Sequence, residues 1–358
     1  IQKSEDVIHS LWFFKEDYSE LHVIAAGSLL EFALKDLSSF GVGRVSSLFV
    51  YPMSFDEFLM ATGQEGLLRA KRNSSPTNPL PEAFYNRLVE AFRSYMLVGG
   101  MPEAVATYTD TGSYRYSCDI VNEIIQGYQD DFAKYGAKAN PLLLRQTLIS
   151  VAHQAGAKFV YSRVEGQYRS AEVKVALEML KDAGLIIPTY HTDANGVPLG
   201  AEINERVVKY LIHDTGVLLG ILGIDDDIDD SIKEMMVADS INLVDKGHVA
   251  EMMAGLELIK YSSPQKRHQL YYWQNMNKGT CAEVDYVIAR SGSIVPIEVK
   301  SGVKGSMSSM YSLMRNPQKH IEMGIRCSLE NFGTFESPDG KKINIIPLYA
   351  ISNLFVEK

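Results

Sequence analysis

No stretch of this 358-residue sequence is an uninterrupted apolar run of the ~18 residues that a membrane helix needs. Its first residues also lack the basic, apolar, small-residue order of a secretory leader. These absences disfavour membrane-spanning and secreted proteins, and the cytoplasm is the expected location. Cysteine is scarce: Cys118, Cys281 and Cys327 are widely scattered and show no CxxC spacing. Neither a disulfide framework nor a structural zinc site is expected, and the three read as reduced core thiols. Basic residues do not predominate, with 35 Lys and Arg against 44 Asp and Glu for a net charge of -9. That balance disfavours a surface coated for nucleic acid, although one basic face fits inside an acidic total. What is present is ordinary for a globular protein, with 46% hydrophobic and 22% charged residues, and the length predicts two or more domains. The chain opens at Ile1 inside an amphipathic, helix-like segment, VIHSLWFFKEDY, which points to a fragment.

The apolar patterning is that of an α/β protein. LHVIAAG (21–27) and SLFVYPM (47–53) are short continuous apolar runs of the kind that form buried parallel strands. Ser54 is placed to cap a helix beginning FDEFLMATG. Helical spacing follows from residue 64, broken by a predicted loop KRNSSPTNPLPE (71–82) and by Gly99-Gly100-Met101-Pro102, where glycines end one helix and proline starts the next. Between 141 and 214, three apolar-periodic helices precede a hairpin-like alternation around Asn195-Gly196, which predicts a winged helix. Its third helix offers Arg169, Lys174 and Lys181 to DNA, while an equally good reading packs the module between domains without nucleic acid. The acidic run DDDIDD (225–230) lacks the alternating ligands, glycine and late glutamate of a calcium loop and reads as a solvated segment.

The stretch EVDYVIARSGSIVPIEVKSG (283–302) carries the chemistry. Two β-like runs flank a turn at Ser291-Gly292-Ser293 and hold Asp285, Glu298 and Lys300 where strands usually carry apolar groups. Glu298 and Lys300 are two apart and share a strand face, while Ile297 and Val299 face the core. Asp285 lies within cross-strand reach if the hairpin pairs as its turn suggests. Two neighbouring carboxylates repel unless a cation sits between them, so Asp285 and Glu298 are the expected ligands of Mg²⁺ or Mn²⁺. Lys300 is then aimed at a phosphate or a metal-bound water. The bland alternative is a salt-bridge cluster of Lys300 with the two acids.

Asp285 followed by Glu298-Val299-Lys300 resembles the PD-(D/E)xK nuclease core, with Val284 in place of the leading proline. Glu251, in GHVAEMMAGLEL, matches the acidic residue that this superfamily often supplies from its first helix. A wider resemblance runs along the chain: IQKSEDVIHSLWFF, HVIAAGSLLEF, GVGRVSSLFVYPMSFDEFL, YMLVGGMPEAVATY, KYLIHDTGVLLGILG and GHVAEMMAGLELIKY together look like the bacterial and archaeal AAA-type ATPases that carry a C-terminal nuclease-like domain of unknown function. In that family the segment beginning IQ follows the acidic pair of the Walker B strand, and the Gly-rich phosphate loop lies upstream. No GxxxxGK[ST] occurs here, so ATP is expected as a ligand of the full-length protein only. The resemblance implies that Ser28 is a sensor facing the γ-phosphate or attacking water and that Arg44 completes the nucleotide site, unless Ser28 only caps a helix and Arg44 only pairs on the surface.

The expected architecture is multidomain α/β: the end of an AAA-type P-loop core (1–63), a helical lid (64–138), a winged helix (139–216) and a PD-(D/E)xK-like mixed-sheet domain (235–358). The expected function is metal-dependent phosphodiester hydrolysis on DNA, with Asp285 and Glu298 as ligands, Glu251 assisting and Lys300 stabilising charge. The rival is a non-catalytic, ATP-dependent DNA-binding, assembly or regulatory protein whose nuclease-like fold is inactive. No membrane partner is expected, and the resemblance allows oligomerisation through the ATPase core.

Overall fold

The computed structural model describes residues 5–27, 45–133, 140–223, 246–275, 282–302 and 305–355. Helix α1 (Glu5–Asp17) forms as its spacing predicts. The two expected N-terminal strands do not form: 21–27 and 47–53 have irregular backbone, and Ile24, Leu48 and Val50 are 95%, 66% and 91% exposed. A buried parallel strand needs partners at its edges and cover on both faces. Among the described residues, the 45–50 backbone gains only the Phe49 N–H bond to the Pro264 carbonyl (2.8 Å). Among the described residues neither run lies beside a strand, so neither becomes one. The acidic run 225–230 lies outside the described residues, as do Ser28 and Arg44.

From residue 54 the helices follow local chemistry. Ser54 begins α2 (Phe55–Ala61) with a reciprocal cap, its hydroxyl accepting from Glu57 N–H while the Glu57 carboxylate accepts from Ser54 N–H. Helix α3 (Glu65–Arg72) runs into the predicted loop, so Lys71 is a buried helical residue and the loop starts at Asn73. The loop predicted from its Pro, Ser and Asn content is present from Asn73 onward, and only Lys71 and Arg72 belong to α3. Helix α4 (Glu82–Val98) ends at Gly99, whose φ is 79°, and α5 (Pro102–Thr111) begins on Pro102. Then follow α6 (Tyr114–Phe132), α7 (Pro141–His153), a 3₁₀ turn (Tyr161–Arg163) and α8 (Ser170–Asp182). On α8, Lys181 pairs with Glu178 one turn earlier.

Strands β1 (Ile186–Thr192) and β2 (Ile203–Ile212) form the expected hairpin. Asp214 caps the next helix, α9 (Thr215–Ile221), by accepting from Val217 N–H (3.1 Å), and it also accepts from Gly100 N–H (2.6 Å). That second bond explains the glycine pair, because a β-carbon on Gly99 would strike the Asp214 carboxylate and one on Gly100 would strike the Met53 backbone. Helix α10 (Lys246–Lys260) follows, with Val249, Met252, Met253, Ala254, Leu256 and Ile259 all buried. A helix buried on every side, Glu251 and Glu257 included, belongs inside a core.

The C-terminal part adds β3 (Leu270–Gln274), β4 (Glu283–Val284), β5 (Tyr286–Arg290), β6 (Ser293–Val299), α11 (Ser308–Arg315), β7 (Met323–Ser328), β8 (Gly333–Glu336) and β9 (Lys342–Pro347), ending in a 3₁₀ segment (Leu348–Leu354). Two mixed sheets result, a four-stranded one in the order β2-β1-β3-β4 and a five-stranded one in the order β5-β6-β7-β9-β8. In the first, β1 pairs antiparallel with β2 and parallel with β3, so the hairpin at 186–212 shares a sheet with the C-terminal segment. In the second, β6, β7 and β9 are parallel, with antiparallel β5 and β8 at the edges. Val295, Ile297 and Val299 of β6 join the main core with α10, while Ile294 joins a second core with Met310, Leu313 and Met314 of α11. The protein is thus mixed α/β, with α10 and α11 covering the two faces of one sheet.

Candidate functional site

Strands β4 and β5 are separated by a single residue, Asp285. Val284 still pairs with Trp273 of β3, whereas Tyr286 already pairs with Ile297 of β6. Asp285 is therefore the point where the chain leaves one sheet for the other. The two-residue turn Ser291-Gly292, with φ of 49° and 76°, sets the β5–β6 register that brings Asp285 beside Glu298. Asp285 Oδ2 accepts from Val299 N–H at 2.7 Å, and Lys300 Nζ donates to Glu298 Oε1 at 2.6 Å. The second Glu298 oxygen, Oε2, is buried with no hydrogen-bond partner. Ile297 and Val299 point into the main core, as strand alternation predicted.

Glu251 comes from α10, and its carboxylate accepts from Lys209 Nζ at 2.8 Å. Lys209 stands on β2, is 1% exposed and also reaches Glu283 of β4 at 2.5 Å. Four carboxylates, Glu251, Glu283, Asp285 and Glu298, thus share a partly buried region with two ammonium groups, Lys209 and Lys300. All four of the C-terminal residues singled out from the sequence are in it. Glu283 and Lys209 were missed. Both left a signal: Glu283 is two residues before Asp285 on an alternating strand, and Lys209 is a lone charge inside the apolar run VVKYLI.

The electrostatics follow from that count. Burial pushes the Glu251 carboxyl up to about 8, with Lys209 opposing and Asp285 and Glu283 adding to the rise. Burial raises Glu298 to about 7, Asp285 adding and Lys300 opposing. Asp285 is also raised by burial, against the Val299 N–H and the two lysines. Burial works against the charge on Lys209, but Glu251 and Glu283 outweigh it and hold that ammonium above the usual lysine range. Near neutral pH the cluster is short of positive charge and meets the shortfall with protons.

Hard carboxylate oxygens suit Mg²⁺ or Mn²⁺, and magnesium commonly takes one or two carboxylates plus waters. Asp285 and Glu298, the latter with a buried oxygen that has no hydrogen-bond partner, fit that requirement as a pair. Among the described residues no group of three or more His, Cys, Asp or Glu side chains is arranged to hold a metal ion. Elsewhere, Cys327 is buried and the same residues contain no helix long and apolar enough to cross a membrane.

Three family matches divide the chain. An AAA domain matches residues 1–59, a domain of unknown function (DUF8612) matches 89–228, and a second domain of unknown function (DUF4143) matches 246–351. The first and last of these suggest an AAA-like ATPase family. The carboxylate cluster lies within the third match, except for Lys209, which the second match contributes. No curated protein and no solved structure matches the chain.

Proposed function

We propose that the segment around Asp285 and Glu298 is a divalent-cation site for phosphodiester hydrolysis, carried on an AAA-like protein, with DNA as the substrate. The observation that supports it is the buried Glu298 Oε2, which has no partner in a region holding four carboxylates and two lysines. A buried anionic oxygen left alone is costly, and a cation is the natural remedy. Asp285 and Glu298 would hold the cation, which when bound supplies the positive charge that activates water and offsets phosphoryl charge. Lys300, already donating to Glu298, presents the ammonium that attracts the substrate phosphate. Glu251, with its carboxyl pushed up to about 8, is poised to give or take a proton near neutral pH. Nucleotide contacts are assigned to Ser28 and Arg44 in a protein with a complete phosphate loop.

The test is plasmid DNA incubated with the chain and Mg²⁺ or Mn²⁺. Nicking is expected to depend on the metal and to fall at least ~100-fold in Asp285→Ala and Lys300→Ala. A second reading has its own support, because Lys209 already bridges Glu251 and Glu283 as an internal cation. In that reading the nuclease-like fold is a binding or assembly module. DNA retention without nicking, unchanged by either substitution, would carry it and end the catalytic proposal.

A further inference from the structure

The step that Asp285 introduces between β4 and β5 has a second result. β4 pairs with the C-terminal half of β3, but β5 turns away to β6 and stands at the edge of its own sheet. The wedge left between the N-terminal half of β3 and β5 is a pocket of about 620 Å³, floored by Leu258 of α10 and by the C-terminal 3₁₀ segment. That is within the size range of small-molecule sites, roughly 300–1,000 Å³. The rings of Tyr261, Tyr271 and Phe355 line it.

Its polar groups share a bias. Arg290 and His268 are in the lining, and no aspartate or glutamate is, in a chain whose net charge is -9. His268 Nε2 is buried and has no hydrogen-bond partner. Arg290, at the end of β5, pairs with no acidic side chain among the described residues. A buried imidazole nitrogen without a partner is costly in a merely structural position, and an unpaired guanidinium at an aromatic pocket is a ready anion contact. Tyr286 joins this pocket to the carboxylate cluster, since its ring lines the pocket and its hydroxyl donates to the Glu251 carbonyl at 2.8 Å.

We propose that this wedge is a binding site for a small ligand with a flat apolar or aromatic body and one anionic group, the body lying among Tyr261, Tyr271 and Phe355 and the anion meeting Arg290 and His268. Two sources share this chemistry, a nucleotide and an aromatic carboxylate. The proposal does not rest on hydrolysis at Asp285 and Glu298.

The test titrates the full chain by calorimetry, without divalent metal, with four probes: adenosine monophosphate, adenosine, indole-3-acetate and indole. The charged member of at least one pair is expected to bind at least ~10-fold more tightly than its neutral partner, and which pair responds identifies the source. Arg290→Glu and His268→Leu are each expected to weaken that binding ~10-fold or more, with Lys342→Glu, on β9 three strands across the sheet from β5, as the control for overall charge. Arg290 is exposed, so its variant keeps the fold, and a circular dichroism melt verifies this for both. The proposal is overturned if no probe binds at millimolar concentration, if neutral and charged members bind alike, or if Arg290→Glu binds as the parent does. Nicking of plasmid DNA is scored separately, so failure of either idea leaves the other readable.

Discussion

Helix α10 carries two buried glutamates, and their surroundings differ in one respect. Around Glu257 each acid has its cation: its carboxylate accepts from Tyr95 Oη (2.9 Å) and Phe55 N–H (3.2 Å) beside Lys260, while nearby Asp56 meets Lys71, Arg72 and Tyr261. Burial alone would raise the Asp56 carboxyl, but Lys71, Tyr261 and Arg72 outweigh it and hold it below the ordinary value. Around Glu251 four acids face two lysines, and burial wins at three of them, raising the carboxyls of Glu251, Glu298 and Asp285. The first cluster ties α2, α3, α4, α10 and the C-terminal 3₁₀ segment together, Lys71 reaching Ser352 at 2.8 Å. Every charged side chain in it has a partner of opposite sign. The second is incomplete in charge, and incompleteness under burial is what marks a site rather than a strut.

The contrast can be broken most forcefully at Lys71. Lys71→Met leaves Asp56 buried with only the half-exposed Arg72 as counter-charge, and a loss of about 3–5 kcal/mol is expected in urea unfolding at pH 7. A near-neutral result would mean that the paired cluster holds nothing together. The opposite sign is expected at Glu298. Its folded pKa, about 7, lies above the usual 4.5, so the folded chain binds the extra proton and loses stability as pH rises from about 4.5 to 7. Glu298→Gln should remove that slope and be more stable than the parent at pH 8, by on the order of 2 kcal/mol, and about equal to it at pH 4.5. Parallel pH profiles for the two proteins would sink the idea of an uncompensated carboxylate.

Millimolar Mg²⁺ or Mn²⁺ sharpens the comparison further. At pH 8 it should raise the melting temperature of the parent, by an amount equivalent to about 1–2 kcal/mol, and leave Asp285→Asn and Glu298→Gln unmoved. A shift that survives both substitutions would place the cation elsewhere. The smallest effect belongs to the rim of the paired cluster: Arg72 is 51% exposed, so solvent screens its pair with Asp56, and Arg72→Ala should cost less than about 1 kcal/mol in the same urea assay. A cost equal to that of Lys71→Met would show that exposure does not separate the two partners.

Local chemistry written in the chain was readable from it: the Ser54 cap, the glycine-to-proline break at 99–102, the 186–212 hairpin and the alternation that sets Glu298 and Lys300 against Ile297 and Val299. Each depends on residues a few positions apart. The apolar runs at 21–27 and 47–53 misled because strand formation depends on partners, which periodicity does not report. Lys71 misled because a charged residue in a polar stretch looks like loop until Asp56 is known to be beside it.

The sequence by itself therefore determined the caps, the turns and three neighbouring charges of the site, since turn geometry and strand period act over short range. Only the tertiary structure decided that β1 pairs with β3, which carries Lys209 from β2 to Glu251 and Glu283 across 42 and 74 residues of chain. Charge balance in a buried cluster is a sum over residues that the fold gathers, and no local pattern contains that sum.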